Sequence, residues 1–329
     1  MIANTPTASD GLATDLTAAN NGYVLVIGGA NVDISGTAAG PLILGDSHPG
    51  SVRCTPGGVA RNIAENLARL GHATRLVAAL GDDLFGSGLL ESTQSAGVNT
   101  DHCWTDFGQS TSTYLSVHAG DGALCVGVND MGIVNSITPA RLADQAPLIQ
   151  QAHTVVLDCN LSADTIGWVL RNTNAPVLVD AVSAKKCTRL QPLLERIHTL
   201  KLNPLEAQAL CGLPCESAAQ LLAVARWLHS QGVRQVLLSL GARGMFWSDK
   251  DAGHGWQDAL TGTVVNVTGG GDALLSGWAH ALLHRQPLAQ AAKWAQACAG
   301  MTVGVHAANH PHLSAAALAQ WCKTLSAPV

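Results

Sequence analysis

Short, mostly apolar runs recur along this chain, each followed by a longer stretch of helical character, and this rhythm restricts what it can fold into. Tyr23–Ile27 (YVLVI) runs into Gly28-Gly29, and Val155–Asp158, Val177–Asp180, Thr199–Leu202 and Gln235–Leu240 repeat the pattern. Apolar runs of this length fit strands covered on both faces. Ile63–Leu70, stopped by Gly71, reads as a helix, as do Leu84–Gln94 and Ala218–Gln231. Ala73–Leu80 reads as one further strand, with Gly81-Asp82-Asp83 as its turn. Strands alternating with helices predict an α/β fold with a doubly wound, mostly parallel sheet flanked by helices.

Two segments break the rhythm. Ser35–Cys54 holds Gly, Pro and scattered apolar residues without a helical period. Ser110–Val117 (STSTYLSV) and Ala123–Asn129 (ALCVGVN) alternate in polarity and flank Gly120-Asp121-Gly122, a hairpin signal. A small antiparallel β sheet, from about 35–55 and 104–131, is therefore expected as an insertion. It reads either as a surface hairpin or as a lid over a site at the strand ends. Residues 1–22 carry no Lys or Arg and no apolar core, so they read as a disordered tail and not a signal peptide. Residues 23–329 then form one domain.

Charge narrows the partners. Only 12% of the residues are charged, with Lys+Arg 18 against Asp+Glu 23 and a net charge of -5. Without a basic stripe, no nucleic-acid partner is expected. The longest uncharged stretch, between Lys293 and Lys323, contains Asn309, His310, Pro311 and His312, so no membrane partner is expected either. The nine cysteines are odd in number and form no Cys-x-x-Cys pair, which reads as reduced thiols and a cytoplasmic location.

The chemistry concentrates at Asn266-Val267-Thr268-Gly269-Gly270-Gly271-Asp272-Ala273. Three glycines let backbone N–H groups converge on an anion at the start of a helix near Ala273. Asp272 at that helix start reads either as an N-cap or as a base for an attacking hydroxyl. No Gly-Lys-Ser/Thr loop, His-Arg-Asp loop or Gly-x-Ser-x-Gly elbow occurs, and Gly28-Gly29-Ala30 lacks the third glycine of a dinucleotide fingerprint.

Four segments in order carry a family likeness: Gly57-Gly58-Val59-Ala60-Arg61-Asn62 with Leu67–Gly71, Asn203-Pro204-Leu205-Glu206, Leu240–Gly244, and Thr268–Ala273. Together they resemble the PfkB/ribokinase family of sugar and nucleoside kinases, over about Tyr23 to Leu313. Within that family, Ala30–Asp33, Pro56–Asn62, Thr111–Ser116, Asn129–Met131, Asp158–Asn160, Val182–Ala184 with Lys186-Cys187, and His198–Lys201 are similar to the bacterial branch that acts on pseudouridine.

The resemblance implies a ribokinase-like fold and transfer of the ATP γ-phosphoryl group to the 5′-hydroxyl of pseudouridine. It implies Asp272 as catalytic base and Gly269, Gly270 and Gly271 as anion hole. It places the sugar at Asn31 and Asp33 with Gly57, Gly58, Asn62 and Asn160, and the base near Thr113, Asn129, Ser183 and Lys186. It places the nucleotide at Asn203, Ser239, Gly241, Gly244, Thr268 and Gln296, with Mg²⁺ held through water by Glu206 and Asn203. Each has a plainer reading beside it: Asn31 and Asp33 as turn residues, Asn203 and Glu206 as a helix cap, Lys186 as solvated surface. Asn266, Val267 and Gly270 depart from the common signature, and the lost acid at 266 puts a monovalent cation in doubt. A homodimer through the lid is left open. The alternatives are a kinase for ribose, uridine or adenosine, and a non-catalytic nucleoside-binding protein on the same fold.

Overall fold

A computed structural model describes residues 22–43, 45–259 and 262–324. Apart from Gly22, the tail expected at 1–22 lies outside the described residues. In chain order the strands are β1 (Val24–Ile27), β2 (Asn31–Ala38), β3 (Gly50–Gly57), β4 (Thr74–Val77), β5 (Ala79–Gly81), β6 (Trp104–Asp106), β7 (Thr113–His118), β8 (Leu124–Asp130), β9 (Thr154–Asp158), β10 (Val177–Asp180), β11 (Thr199–Leu202), β12 (Gln235–Ser239), β13 (Met245–Asp249) and β14 (Gly253–Gln257). An eight-stranded sheet runs β14-β13-β12-β11-β10-β9-β1-β4, parallel from β12 to β4 and antiparallel at β13 and β14.

Strand alternation sorts the core into two layers. Leu25, Ile27, Val155, Leu157, Val179, Leu200 and Leu202 pack on one face. Val24, Val26, Val156, Leu178 and Leu237 pack on the other, against Ala60, Ile63 and Leu67 of helix Val59–Arg69 and Leu274, Leu275 and Trp278 of helix Gly270–Leu283. These two helices begin over the carboxyl ends of the parallel strands, where ligands bind in open α/β sheets.

The small sheet is present but mixed in direction. Its order is β3-β2-β7-β8, with β2–β3 and β7–β8 antiparallel and β2–β7 parallel. Two hairpins lie side by side; β7 arrives by way of helix Leu84–Ser95 and so runs in the direction of β2. The first hairpin starts at Asn31, earlier than expected, and β6 is not part of this sheet, because it pairs with β5. The strand expected over Ala73–Leu80 breaks for the same reason: β4 stays beside β1 while β5 turns away to β6. The helix expected from Ile63 starts at Val59, and its first turn buries Arg61 and Asn62, polar residues that an apolar period leaves out. Five cysteines are buried, while Cys54 and Cys125 lie exposed on β3 and β8.

Asp158 ties the sheet to the loops above it. The residue is 0% exposed, and its carboxylate accepts from Gly29 N at 2.9 Å, Ala60 N at 3.0 Å and Asn160 N at 2.8 Å. One side chain thus joins the turn after β1, the start of helix Val59–Arg69 and the turn after β9. Burial raises its pKa, and these donors oppose the rise. Asp158→Ala is expected to leave three buried N–H groups unpaired and to cost about 3 kcal/mol, read as a lower urea midpoint. An unchanged midpoint would remove Asp158 from this role.

Candidate active site

The register of the parallel strands sets Asp158 beside Asp180 and Asp180 beside Lys201 in one row, on the face that helices Val59–Arg69 and Gly270–Leu283 cover. Lys201 Nζ lies 3.1 Å from Asp180 Oδ2, and both side chains are buried. Burial alone would lower the Lys201 pKa, but the carboxylates of Asp180, Glu206 and Asp272 outweigh it and hold it above the usual value. Lys201 stays charged and sits under the glycine turn: a Cβ on Gly271 would come within 2.6 Å of Nζ.

Helix Gly270–Leu283 begins three residues earlier than expected, and Gly269 is its N-cap at φ 79. A side chain at 269 would run into Ala308 O, so the left-handed backbone and the close approach both require glycine. Asp272 is therefore not a cap; it occupies the first helical turn. Among the described residues, Gly271 N–H and Asp272 N–H make no backbone hydrogen bond. Two free donors, the helix dipole and the Lys201 ammonium converge there, a suitable setting for an oxyanion.

The Asp272 Oδ2 accepts from Asn62 Nδ2 at 2.8 Å, across 210 residues of sequence. Asn62 Oδ1 accepts from Arg61, so the amide can present only its N–H₂ to Asp272. Arg61 is itself fixed: Nε donates to Gly57 O at 3.0 Å, Nη1 to Glu65 at 2.5 Å and Nη2 to Asn309 Oδ1 at 2.7 Å. Asn309 Nδ2 returns a bond to Asn62 O at 2.8 Å. Burial and then Asp180 push the Asp272 pKa up to about 7, against the pull of Asn62 and Lys201.

Among the residues expected at the sugar, Asn31 Nδ2 donates to Asp33 Oδ1 at 2.7 Å, and the backbone at Gly57 lies against the Asp33 carboxylate. Burial raises the Asp33 pKa, opposed by Asn31 and Arg61. Gly58, at φ 99, forms the N-cap of the helix that carries Asn62. Asn160 Oδ1 accepts from Lys186 Nζ at 2.5 Å, so Lys186 is a half-buried, engaged side chain and not a solvated one. Ser183 caps the short helix Ala184–Cys187 through Lys186 N. The register parts the two residues chosen from the small sheet. Asn129 pairs with Tyr114, on the face of Asn31 and Asp33. Thr113 pairs with Val32 and Asp130 on the opposite face and lines a separate cavity with Asp83 and Asp130, so it does not join this group.

Beside the start of helix Gly270–Leu283, a cavity of about 350 Å³ gathers Ser239, Gly241, Gly244 and Gln296, four residues expected at the nucleotide, with Gly270 and Gly271, walled by Val264, Leu274 and Val303. Thr268 is exposed and outside that lining; its N–H bonds Asn266 Oδ1 at 3.0 Å. Asn203 and Glu206 form a complete capping box: Glu206 N donates to Asn203 Oδ1 at 2.9 Å, and Asn203 N to Glu206 Oε2 at 2.8 Å. Glu206 is buried, and burial raises its pKa, with Lys201 opposing and Asp180 adding to the rise. Three buried carboxylates, Asp180, Glu206 and Asp272, thus act on the ammonium of Lys201, and carboxylate oxygens are the kind of donor that a hard cation such as Mg²⁺ takes, directly or through water.

Sequence reading missed Asp158, Asp180, Lys201, Arg61 and Asn309 as site residues. The signal for three of them was present: an Asp closing each of two apolar runs and a Lys inside a third. Nothing local marks Asn309, whose role depends on contacts more than 240 residues away.

Comparison with known proteins identifies the family and the fold. A family model for pfkB family carbohydrate kinases matches residues 21–315. The pseudouridine kinase of Escherichia coli (strain K12) is 42% identical over 295 residues, covering 89% of this chain and 94% of that protein. An uncharacterized sugar kinase of the same organism is 37% identical over 294 residues, covering 89% and 81%. The structure of Arabidopsis thaliana ribokinase complexed with ribose and ATP shares the fold, with a TM-score of 0.84 at 23% identity over 92% of this chain and 99% of that one.

The Asn62 contact makes a signed prediction. Its N–H stabilises the ionised Asp272, so Asn62→Leu is expected to raise the Asp272 pKa further and move the acid limb of kcat/KM to higher pH. An acid limb that stays in place would show that Asp272 is not the group titrating there.

Proposed function

The chain belongs to the pfkB family of carbohydrate kinases and is an ATP-dependent kinase of ribokinase-like fold, and from that premise we propose that its acceptor is pseudouridine, phosphorylated on the 5′-hydroxyl. The observation that carries the chemistry is the buried Asp272 carboxylate, held by Asn62 between the Asn31–Asp33 pair and the glycine-lined cavity. In this reading Asn31, Asp33 and Gly57 bind the ribose hydroxyls. Asp272 takes the proton of the 5′-hydroxyl as it attacks, and its raised pKa suits that transfer near neutral pH. The free N–H groups of Gly271 and Asp272, with Lys201 beneath them, bear the charge on the transferring group. Ser239, Gly241, Gly244 and Gln296 hold the nucleotide. Glu206 and Asn203 would hold Mg²⁺ through water, where it would neutralise phosphate charge. Asn266 Nδ2 donates to His306 O at 2.8 Å, so this loop meets with an amide a carbonyl that a monovalent cation could otherwise serve.

Pseudouridine is supported by the 42% identity across nearly the whole chain and by the polar pair beside the sugar residues. A uracil joined through carbon exposes a ring N–H that uridine lacks. Asn160 Oδ1, presented with Lys186 in a half-buried setting, offers an acceptor of the required kind. The second lone pair of Asn160 Oδ1, beside the one that takes Lys186, would receive that N–H; with uridine it loses this partner, and an unmet buried acceptor costs about 1–3 kcal/mol, enough for roughly tenfold to a hundredfold discrimination.

ADP release from Mg-ATP, measured with pseudouridine, uridine, ribose and adenosine, tests this. Selective turnover of pseudouridine is expected; turnover of another member would keep the chemistry and discard the base pocket. Asp272→Asn is expected to lower kcat about 10²–10⁴-fold with ATP binding retained. Undiminished turnover would remove Asp272 as base and favour another route. We also propose a homodimer through the small sheet, whose outer face exposes Leu115, Val126 and Val128, the last 56% exposed. Sedimentation is expected to show a dimer that Val128→Asp dissociates; a monomer throughout would end this proposal.

A further inference from the structure

At the far end of helices Val59–Arg69 and Gly270–Leu283, three imidazoles meet. His72 follows helix Val59–Arg69, while His280 and His284 stand one turn apart at the end of helix Gly270–Leu283. One ring nitrogen from each lies within 4.8 Å of the others, and His72 Nε2 is 2.7 Å from His280 Nδ1. No carboxylate or thiol takes part in the cluster. We propose that His72, His280 and His284 form a binding site for a borderline divalent cation of the zinc type, separate from the Mg²⁺ chemistry of the kinase site.

The arrangement supplies what such a cation needs. His residues four apart on a helix share one face, and the third ligand comes from a different element, which closes the site in three dimensions. His284 Nδ1 donates to His280 O at 2.8 Å, which fixes its ring and leaves Nε2 with a lone pair for the metal. Trp294 packs against His280 with ring centres 4.9 Å apart and closes one side. Burial pushes the His72 pKa down to about 4 and the His280 pKa down to about 3, so both rings are neutral and available at physiological pH. The proton between them moves to an outer ring nitrogen on binding. Tetrahedral coordination at about 2.0–2.1 Å places ligand nitrogens roughly 3.3 Å apart, within reach of small ring rotations. Three neutral nitrogens suit zinc, cobalt or nickel and suit Mg²⁺ poorly. His280 lies eight residues beyond Asp272, about 12 Å along the helix, so the ion would clip together the helices that bring Asn62 to Asp272 without touching substrate.

The tag-free full chain is titrated with Zn²⁺ and followed by thermal melting, and Co²⁺ serves as a spectroscopic probe of the ligands. The expected result is one Zn²⁺ per chain, a higher Tm, and a tetrahedral Co²⁺ spectrum without thiolate bands. His284→Ala and His72→Gln, each first shown to melt cooperatively in chelator, are expected to weaken binding by more than about 100-fold. Absence of stoichiometric binding would overturn the proposal. So would binding that survives in both variants, or thiolate bands that assign the ion to the cysteines.

Discussion

Three ionisable side chains side by side in a buried parallel sheet, Asp158, Asp180 and Lys201, are the constraint on which the site rests. Such groups are costly to bury unless each has a partner. Asp180 and Lys201 pair within the row, while Asp158 and Lys201 also reach the layer above. Asp158 collects the N–H groups of Gly29, Ala60 and Asn160, and so places the loops that carry Asn31, Asn62 and Asn160. Asp180 holds Lys201, and Lys201 lies against Gly271, below the start of the Asp272 helix. The cost of the row is offset only when both helices and all three loops are in place. The same contacts that relieve buried charge therefore order the Asn31–Asp33 loop and the start of the Asp272 helix together.

The large sheet was legible because its code is local. Four-residue apolar runs at Val177–Asp180 and Thr199–Leu202 coincide with β10 and β11, since a strand buried on both faces leaves little room for polar residues. Helix starts were less legible. At Val59 and Gly270 the first turn is occupied by Arg61, Asn62, Gly271 and Asp272, residues kept for contacts rather than for a helical period. The small sheet was legible as alternation around Asp121-Gly122, but its parallel seam between β2 and β7 joins segments far apart in the chain. Register decided what alternation could not: Asn129 falls on the face of Asp33, and Thr113 falls on the other.

The candidate site was legible where a residue's chemistry can be read beside its neighbours. The glycines at 269–271 and Asp272 read as an anion cradle beside either a helix cap or a base, and the structure puts them at a helix start with Gly269, not Asp272, as the cap. Asn203 and Glu206 show the opposite case. Their spacing serves a capping box and a cation equally well, and the structure displays the box directly while the surplus of buried carboxylates speaks for the cation. Lys186 could be weighed only in three dimensions, because the same residue type is ordinary on a surface and informative when half-buried against Asn160.

The environment of Asp272, the proposed base, is set by a chain of side chains that no local pattern contains. A carboxamide bonded at one end can offer only its other end, so orienting Asn62 decides whether Asp272 meets a donor or an acceptor. An acceptor there would favour the protonated acid and disable the base. Arg61 forecloses that orientation by occupying Asn62 Oδ1, and Asn309 holds Arg61 in turn. A lysine at 61 could not reproduce this, because separate donors of one guanidinium reach Gly57 O, Glu65 and Asn309 at once. Since Arg61 and Asn309 come from opposite ends of the chain, Asp272 has its proper partner only in the completed fold. The ionisation of Asp272 and folding are thereby joined through one planar group.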